Sequence, residues 1–549
     1  MREQEPWEAR SRQSAPCMGF RCRYMKIVID GITLKPDDSL ERIGEILATR
    51  YGLGRDDPYE IIRKSLDARR KDRIHYRFRV AVEVPDEAGK AILSLPEVSC
   101  YRPLTLGPPR RRLHGLKAYI AGTGPAGLFC ALRLIEAGAE VEIFERGKRV
   151  EERARDIATL EERGTLNPES NVLFGEGGAG AYSDGKLTAR TQSPESRWLF
   201  ERLVSFGAPS AILYEAKPHL GTDALEGIIK AIRRRLLEAG ARINFSEAVT
   251  DLIIRDGLLA GFLTSRGKEY TAGMLVLAVG HSARDTYEML ERRGVAIAQK
   301  GFAVGVRIEH PAEIINRIQY GDSHYGSLLP AAEYALAWTD PGSGRGVYTF
   351  CMCPGGRVIN SSSEHGRLCL NGMSYAARDL PFSNAAVVVA VHPREFGDDV
   401  LAGMAFQRML EEAAFTAGGG DFRAPAQRLT DFLADRENRS IPSVSYRPGV
   451  RPASVRTYLP QWLAAVLAEG FKQFGRRMKG FITDEAVVFG VETRTSSPAR
   501  VVRGDDFQSV TVRGLFPIGE GSGYAGGIVS SAVDGIRCAD RIAAMVRPT

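Results

Sequence analysis

The stretch that decides the fold is Leu116–Glu145, LKAYIAGTGPAGLFCALRLIEAGAEVEIFE. Its first apolar run is typical of a buried parallel strand, and a glycine turn, a helix and a second strand follow. Gly122, Gly124 and Gly127 lie between the first strand and the helix, and Glu145 ends the second strand. This spacing predicts a dinucleotide-binding unit.

Each position of this turn has a physical reason. Gly122 permits a tight turn, Gly124 lets a pyrophosphate approach the backbone, and Gly127 lets helix and strand pack closely. The helix N-terminus offers free N–H groups and a partial positive charge, and Glu145 can accept hydrogen bonds from ribose hydroxyls. The residues expected to contact the nucleotide here are Gly122, Gly124, Pro125, Ala126, Gly127, Glu145 and Arg146.

A second GxGxxG match begins at Gly175 in FGEGGAGAYSDGKL, and no helix pattern follows it. A loop with so few side chains can lie flat against a ring system or a phosphate, so we expect Gly177 and Gly178 to contact the cofactor. Asp184 and Lys186 could add polar contacts. A plain surface loop with solvated charges is the alternative.

A third match begins at Gly521, between the strand GLFPIGEG and the C-terminal helix. We interpret it as a helix N-terminus that points into the first site and stabilises a reduced, negatively charged flavin. A buried strand in the middle of the chain, LVLAVGH, also ends in a glycine. One dinucleotide fingerprint, together with these two strands that end in glycine, indicates FAD. No separate NAD(P)H domain is expected. The further residues expected at the cofactor are Val249, Gly280, Gly519, Glu520, Gly526, Gly527 and Ile528.

Composition bounds the class of protein. The chain has 549 residues, 44% apolar and 26% charged, which allows two to four domains and argues against a disordered or fibrous protein. No apolar run approaches the ~20 residues that span a bilayer. Eight cysteines without a CxxC pair or a Cys/His cluster argue against a zinc site or a disulfide framework, so we expect a reducing, cytoplasmic location and no metal.

The pattern along the chain predicts an α/β protein, a Rossmann-type FAD-binding domain with an inserted α+β substrate domain. Residues 1–24 are expected to be a disordered extension, with Met25 as the biological start. A small α+β module of ferredoxin-like type, read as strand, helix, helix and strand, is expected over 25–105, with its second helix at DPYEIIRKSLDARR, and a linker over 106–115. The FAD domain is expected over 116–300 and 481–549, and the substrate domain over 301–480.

The basic excess is N-terminal, because residues 1–113 hold 23 Lys and Arg against 17 Asp and Glu. A solvated surface is the favoured interpretation. A docking surface for an acidic partner and an RNA-binding module are the alternatives, although few aromatic side chains that could stack on bases accompany the charges.

Several longer motifs resemble a known family: GEGGAGAYSDGKL, LAVGHSARDT, FAVGVRIEHP, VYTFCMCPGG, ETRTSSPAR and PIGEGSGYAGGIVSSAVDGI. The chain is similar to FAD-binding proteins of the glutathione-reductase and hydroxybenzoate-hydroxylase type. It resembles more closely a family of bacterial and plastid FAD-dependent dehydrogenases that is named for its cofactor. The resemblance implies FAD bound by the Gly122 turn, Glu145 and Gly519–Ile528, and it implies no substrate.

The segment VYTFCMCPGG is expected on the substrate side. Cys351 and Cys353 are two residues apart, which on a strand puts both on one face. They are either a redox-active pair or small packed residues. Tyr348 and Phe350 could line a planar or apolar substrate pocket.

His281 follows the glycine that ends a buried strand, where a neutral imidazole could couple proton transfer to hydride transfer. A structural histidine is the alternative, and His310 and His365 are weaker candidates. Arg307 and Arg494 could clamp an anionic substrate with paired hydrogen bonds.

These observations predict an FAD-dependent oxidoreductase that exchanges hydride between flavin and an unidentified organic substrate, with NAD(P)H or a protein as electron donor. A flavin-dependent monooxygenase is the nearest alternative. An FAD-containing RNA-modifying or RNA-binding protein, and a redox sensor or scaffold that holds FAD as a structural ligand, are the alternatives from other classes.

Overall fold

The computed structural model describes residues 24–188, 193–437 and 440–545. Residues 1–23 of the expected N-terminal extension lie outside this part, and Tyr24 begins the first strand. The chain divides into two compact units. Among the described residues, the smaller contains 24–34, Asp38–Lys64 and Arg77–Pro103, and the larger contains the rest.

The first elements form a four-stranded sheet with two helices. They are β1 (Tyr24–Leu34), α1 (Arg42–Tyr51), β2 (Tyr59–Asp67), β3 (His75–Pro85), α2 (Asp86–Ile92) and β4 (Val98–Cys100). The sheet order is β2-β3-β1-β4. This β-α-β-β-α-β order is that of a split βαβ motif.

The prediction of a second helix at DPYEIIRKSLDARR is wrong, because this segment contains strand β2. Two adjacent β-branched residues, Ile61 and Ile62, favour a strand, and pairing with β3 outweighs the helix propensity of the charged residues around them. The charges of Arg63 and Lys64 therefore lie along a strand and are not spread around a helix.

The other helices and strands of the described chain follow in this order: β5 (Lys117–Ala121), α3 (Pro125–Glu136), β6 (Glu140–Glu145), α4 (Val150–Arg163), α5 (Pro194–Ser205), α6 (Gly221–Glu238), β7 (Arg242–Phe245), β8 (Val249–Arg255), β9 (Leu258–Thr264), β10 (Glu269–Thr271), β11 (Leu275–Leu277), α7 (Arg284–Arg292), β12 (Ile297–Gln299), β13 (Phe302–Pro311), α8 (Ala312–Tyr320), β14 (Ala337–Thr339), β15 (Gly346–Asn360), β16 (Leu370–Ser374), β17 (Phe382–Val391), α9 (Ala402–Gly418), β18 (Ala424–Arg428), α10 (Leu429–Ala434), β19 (Val450–Pro452), α11 (Val455–Tyr458), α12 (Gln461–Arg477), β20 (Val487–Glu492), β21 (Ala499–Val501), β22 (Leu515–Pro517) and α13 (Ile528–Met545).

A five-stranded parallel sheet, in the order β22-β11-β5-β6-β7, carries the glycine turn. Strands β5, β11 and β22 are short, mostly apolar runs, as expected for strands covered on both faces, whereas β6 carries three glutamates. Helix α3 connects β5 to β6 and packs against α13. On the other face, rings of β5, β6, β9 and β10 cluster, with the centroids of Tyr119 and Phe262 5.3 Å apart.

A larger, mostly antiparallel sheet has the order β14-β15-β17-β13-β20-β18-β19, with β16 paired to β15. Its strands all fall between β11 and β22 in the sequence. Strand β20 ends at Glu492, so this sheet extends past residue 480, where the substrate domain was expected to end. The whole is a mixed α/β structure. Within the described residues, no helix combines the length and apolarity that a membrane span requires.

Candidate functional site

A cavity of about 370 Å³ lies in the larger unit where the two large sheets meet. Its wall is formed by the turn after β5, the end of β6, the loop 173–188, the end of β11, part of β15 and the start of α13. The volume is within the range of ligand pockets, and these are the carboxyl ends of parallel strands, where α/β sheets bind ligands.

The glycine turn after β5 combines closely packed and open positions. A Cβ on Gly122, whose φ is +106°, would lie 2.4 Å from the carbonyl oxygen of Ala278. A Cβ on Gly127 would lie 2.1 Å from the carbonyl oxygen of Gly122, which is the close helix-to-strand packing expected there. A Cβ on Gly124 would have its nearest neighbour at 3.9 Å. Gly122 and Gly127 therefore serve the fold, whereas Gly124 leaves space in the cavity.

Glu145 is buried at the end of β6 and holds this turn together. Its Oε2 accepts hydrogen bonds from the backbone N and the Oγ1 of Thr123, at 2.9 and 2.6 Å. Its Oε1 accepts from the backbone N of Gly147 and of Gly175, at 2.9 and 3.1 Å. A carboxylate has about four acceptor positions, so the protein itself uses those on which a ribose contact was expected.

Arg146, the next residue, lies on the cavity wall. Its guanidinium donates to Asp285 at 2.7 Å and lies 4.5 Å from the ring centre of Phe174. The stacked cation and ring make a flat surface at the end of β6 where a planar group can pack.

The loop that begins at Gly175 crosses the start of α3. Gly178 lines the cavity, and a Cβ on it would lie 3.0 Å from the Cα of Gly124. Gly177 does not line it, because a Cβ there would point at Ile229 of α6, 2.4 Å from Cδ1. The structure therefore does not bring Gly177 to the cavity wall, where its contact with the cofactor was expected.

Helix α13 begins beside α3. A Cβ on Gly535, in the third turn of α13, would lie 2.1 Å from the carbonyl oxygen of Ala126 in the first turn of α3, so the two helices pack closely. Ala126 and Ile528, from the first turns of the two helices, both line the cavity, and the first turn of α13 holds no acidic residue. Two positive helix ends thus face one space, which favours an anionic ligand.

His281 and Glu520 form a titratable pair on the wall. His281 Nε2 lies 3.8 Å from Glu520 Oε1. Burial, together with the charges of Arg494 and Arg284, lowers the pKa of His281 to about 3, so the imidazole is neutral at pH 7. Burial raises the pKa of Glu520 to about 7. The carboxyl of Glu520, expected only as a cofactor contact, is thus the group that changes charge near neutrality.

Arg494 lines the cavity, but its guanidinium is already bound by protein groups. Its guanidinium donates to both carboxylate oxygens of Glu411, at 3.0 and 2.9 Å, and to Ser363 Oγ at 2.6 Å. Arg284 binds the same carboxylate from its other side, at 2.9 and 2.8 Å. Arg494 therefore braces the wall, and its N–H groups are bound to Glu411 and Ser363 rather than free to clamp a ligand.

Arg307 is not available as a substrate clamp, and the expectation for it is wrong. Its side chain is fully buried, outside the cavity lining. It donates to Asn384 Oδ1 at 2.9 Å, to Glu492 Oε2 at 2.8 Å and to the carbonyl oxygen of Cys351 at 2.7 Å.

Of the two aromatic residues of β15 that were expected to line a substrate pocket, only one lines the cavity. Tyr348 packs beside Ala386 and Val388 and is absent from the lining, so it is not placed to bind substrate there. Phe350 lines the cavity with 40% of its surface exposed.

Two weaker candidates also lie elsewhere. His310 is buried, with Nε2 2.8 Å from the carbonyl oxygen of Phe481, and His365 is exposed outside the lining.

Most other predicted residues do line the cavity. They are Gly122, Gly124, Pro125, Ala126, Glu145, Arg146, Gly178, Val249, Gly280, His281, Cys351, Gly519, Glu520, Gly526, Gly527 and Ile528. Cys353 lies behind Cys351 in the protein interior.

Sequence reasoning missed several polar residues of the wall. Thr123 was within reach, because it stands inside the GxGxxG turn. Ser361, Asn371 and Thr495 come from separate strands and loops of the larger sheet. No local motif marks them, and only the pairing of β15 with β16 and the fold of the chain bring them to the cavity.

Comparison with known proteins gives three similarities. A family model described as "FAD-dependent protein, C-terminal domain-like" matches residues 301–495. A protein of Clostridium beijerinckii with the name "Uncharacterized protein" is 42% identical over 528 residues, 94% of this chain and 98% of that protein. The thiamine thiazole synthase of Aeropyrum pernix is 28% identical over 196 residues, 33% of this chain and 61% of that enzyme.

Solved structures match more weakly. A triple mutant of the flavin-dependent brominase Bmp2 has a TM-score of 0.33 and 13% identity, covering 78% of this chain and 81% of that chain.

The matched domain and the dinucleotide turn define an FAD-dependent protein, and FAD is its cofactor. With 42% identity over nearly the whole of both chains, the protein belongs to the same family as the Clostridium beijerinckii protein.

The residues of the cavity fit this cofactor. Gly280, Gly526 and Gly527 all line the wall, and a Cβ on any of them would have no atom within 4 Å. Together with Gly124, they leave room where a side chain would stand, as a dinucleotide that approaches the backbone requires.

Proposed function

We propose that the protein is an FAD-dependent oxidoreductase that exchanges hydride with an organic substrate held in the same cavity. One observation carries this proposal: a single cavity contains the dinucleotide turn, two helix N-termini and the titratable groups of His281, Glu520 and Cys351. A cofactor site alone needs no such groups, whereas redox chemistry with proton transfer does.

The residues of the turn bind the nucleotide part. The backbone N–H groups at the start of α3, from Ala126 and Gly127, donate to the pyrophosphate. Glu145 would hold a ribose hydroxyl in exchange for its hydrogen bond from the hydroxyl of Thr123, with its bonds from backbone N–H groups kept. FAD, when bound, supplies the two-electron chemistry.

Glu520 and His281 handle the proton. A carboxyl whose pKa is about 7 is present in both forms at neutral pH, which suits a general acid or base. His281, neutral at that pH, orients a substrate hydroxyl or amine by hydrogen bonding and leaves the charge change to Glu520.

The substrate lies against Phe350, Cys351 and Asn371, which come from the larger sheet. The exposed ring of Phe350 provides an apolar contact, and the amide of Asn371 provides polar recognition. The protein works in the cytoplasm, and its electron donor is NAD(P)H or a protein partner. Its smaller, basic unit presents a solvated surface and is not assigned to nucleic acid.

The test is an absorbance spectrum of the purified protein, followed anaerobically after NADH and then NADPH are added. Flavin bands that bleach with one nucleotide support the proposal and identify the donor. Bands that bleach only with an organic substrate or a protein partner support a dehydrogenase.

Readmission of oxygen to the reduced protein separates the alternatives. Reoxidation with oxygen inserted into a product would replace the proposal with a monooxygenase. A protein that holds FAD but is reduced by no donor would replace it with a structural role for FAD.

A further inference from the structure

Two cysteines meet at an irregular point of strand β15. The register between β15 and β17 shifts between Phe350 and Cys353, and again between Cys353 and Gly356. Cys351, inside the first shift, has a φ of +44°, in the left-handed region that non-glycine residues seldom adopt. Such bulges commonly redirect side chains next to active sites.

The bulge gives the two thiols different environments. Cys351 is half-buried and lines the cavity, whereas Cys353 is fully buried behind it, outside the lining. The Sγ of Cys353 lies 3.4 Å from the carbonyl oxygen of Cys351. One thiol is therefore accessible from the cofactor cavity, and the second lies against the backbone of the first cysteine.

Positive charges surround this pair. Arg307 Nη2 lies 3.4 Å from the Sγ of Cys353, and Lys186 donates to the carbonyl oxygen of Met352, between the two cysteines. A hydrogen bond from the thiol of Cys353, with the charges of Arg307 and Lys186, lowers the pKa of Cys351 to about 6. The same coupling raises the pKa of Cys353. An accessible thiolate beside a buried second thiol is the usual arrangement of redox-active cysteines.

A disulfide between these two cysteines would close a very short loop. Only Met352 separates them, and the bulged backbone at Cys351 departs from regular strand geometry. Disulfides with strained geometry are readily reduced, which suits a transient bond rather than a structural one.

We propose that Cys351 and Cys353 form a redox-active dithiol that passes two electrons to FAD and receives them back. The inference rests on the proposed function, because it requires FAD in the cavity that Cys351 lines. Both thiols lose their protons, an S–S bond forms between the two sulfurs, and the two electrons released reduce FAD, which takes up one of the protons while the other passes to solvent. In the reverse direction, reduced FAD breaks the S–S bond and both thiols are restored.

The first test counts electrons. The FAD-containing protein is oxidised with diamide, freed of the reagent and titrated anaerobically with dithionite. The wild type is expected to take up four electrons, two for FAD and two for the disulfide, whereas Cys351→Ser and Cys353→Ser take up two. Cys100→Ser, on strand β4, is the matched control, because its thiol is exposed, and it is expected to take up four.

The second test needs no FAD. Trypsin cuts after Arg345 and Arg357, so both cysteines lie in one peptide, GVYTFCMCPGGR, which holds no other cysteine. After diamide treatment and iodoacetamide, mass spectrometry is expected to find this peptide unalkylated and two mass units lighter than the reduced form. In Cys353→Ser, the remaining Cys351 is expected to form a mixed disulfide with glutathione added together with diamide.

The outcomes separate the two proposals. A wild type that takes up two electrons, with this peptide alkylated at both cysteines after diamide, overturns the dithiol and leaves the FAD oxidoreductase standing. A protein that binds no FAD overturns the oxidoreductase even where the peptide forms its disulfide.

Discussion

The guanidinium of Arg494 binds both oxygens of the Glu411 carboxylate, with Nε 3.0 Å from Oε1 and Nη2 2.9 Å from Oε2. Arg284 forms a second two-point pair with the same carboxylate. Glu411 is fully buried, and the two cations hold its pKa far below the usual range against the effect of burial. One carboxylate thus joins α7, α9 and the segment after β20 at the wall of the cavity.

Glu411→Gln is expected to lower the free energy of unfolding by about 3–5 kcal/mol, since it leaves two buried guanidiniums without their shared carboxylate. Urea unfolding measures the loss. Glu412→Gln, at the exposed neighbouring position of α9, is the control and is expected to change stability by less than about 0.5 kcal/mol. Equal stability of the two variants would show that the cluster does not hold the wall together.

The glycine turn allows binding and folding to be separated. Gly124→Ala is expected to fold, because its Cβ would have no neighbour closer than 3.9 Å, but to weaken FAD binding at least tenfold, because the methyl group occupies the space of the pyrophosphate. Gly127→Ala is expected to destabilise the protein, because its Cβ would lie 2.1 Å from a carbonyl oxygen. Thermal unfolding of the apoprotein and quenching of FAD fluorescence measure the two effects. Unchanged FAD affinity in Gly124→Ala would show that the pyrophosphate does not bind at this turn.

What the sequence predicted well is local. The turn from Gly122 to Gly127 and the strand-end Glu145 are determined by neighbours along the chain, so their pattern indicated both a fold and a place for the nucleotide. Arg307 and Arg494 looked alike in sequence as free cations. Whether an arginine is free depends on carboxylates more than 80 residues away in the chain, Glu492 and Glu411, and no pattern shows that. Strand β2 was mistaken for a helix because its pairing with β3, rather than its own residue pattern, decides its structure.

The titration of Glu520 is expected to make FAD binding depend on pH. Below about pH 7 the carboxyl is neutral, and above it the carboxylate faces the two negative charges of the pyrophosphate in the same cavity. FAD affinity is therefore expected to fall several-fold between pH 6 and pH 8.5, and Glu520→Gln to keep the higher affinity throughout. Fluorescence titrations at the two pH values measure this.

Nearby charges act on the same titration. Lys300 favours the ionised form of Glu520, and the Cys351 thiolate favours the neutral form. His281 stays neutral over this range. Glu412→Gln, outside the cavity lining, is expected to show the pH dependence of the wild type. A wild-type affinity that is flat with pH would contradict the assignment.

Glu309 on β13 is expected to cost stability at alkaline pH. Its carboxyl is buried and accepts hydrogen bonds from the backbone N of Ser445, at 2.9 Å, and from the hydroxyl of Ser445. Burial raises its pKa from 4.5 to about 7, although Arg307 acts in the opposite direction. Arg307 is already paired with Glu492, so one guanidinium serves two buried carboxyls.

The sign follows from proton binding. Between pH 4.5 and 7 the unfolded chain carries Glu309 ionised while the folded protein keeps it protonated, so folding takes up a proton and stability falls as pH rises. The loss is complete above pH 7 and amounts to roughly 3 kcal/mol. Glu309→Gln keeps a neutral side chain of the same shape, so its melting temperature is expected to match the wild type at pH 5 and to exceed it at pH 8.5. Glu313→Gln, exposed on α8, is expected to show no such divergence, and a Glu309→Gln difference that is the same at both pH values would show that this carboxyl does not titrate in that range.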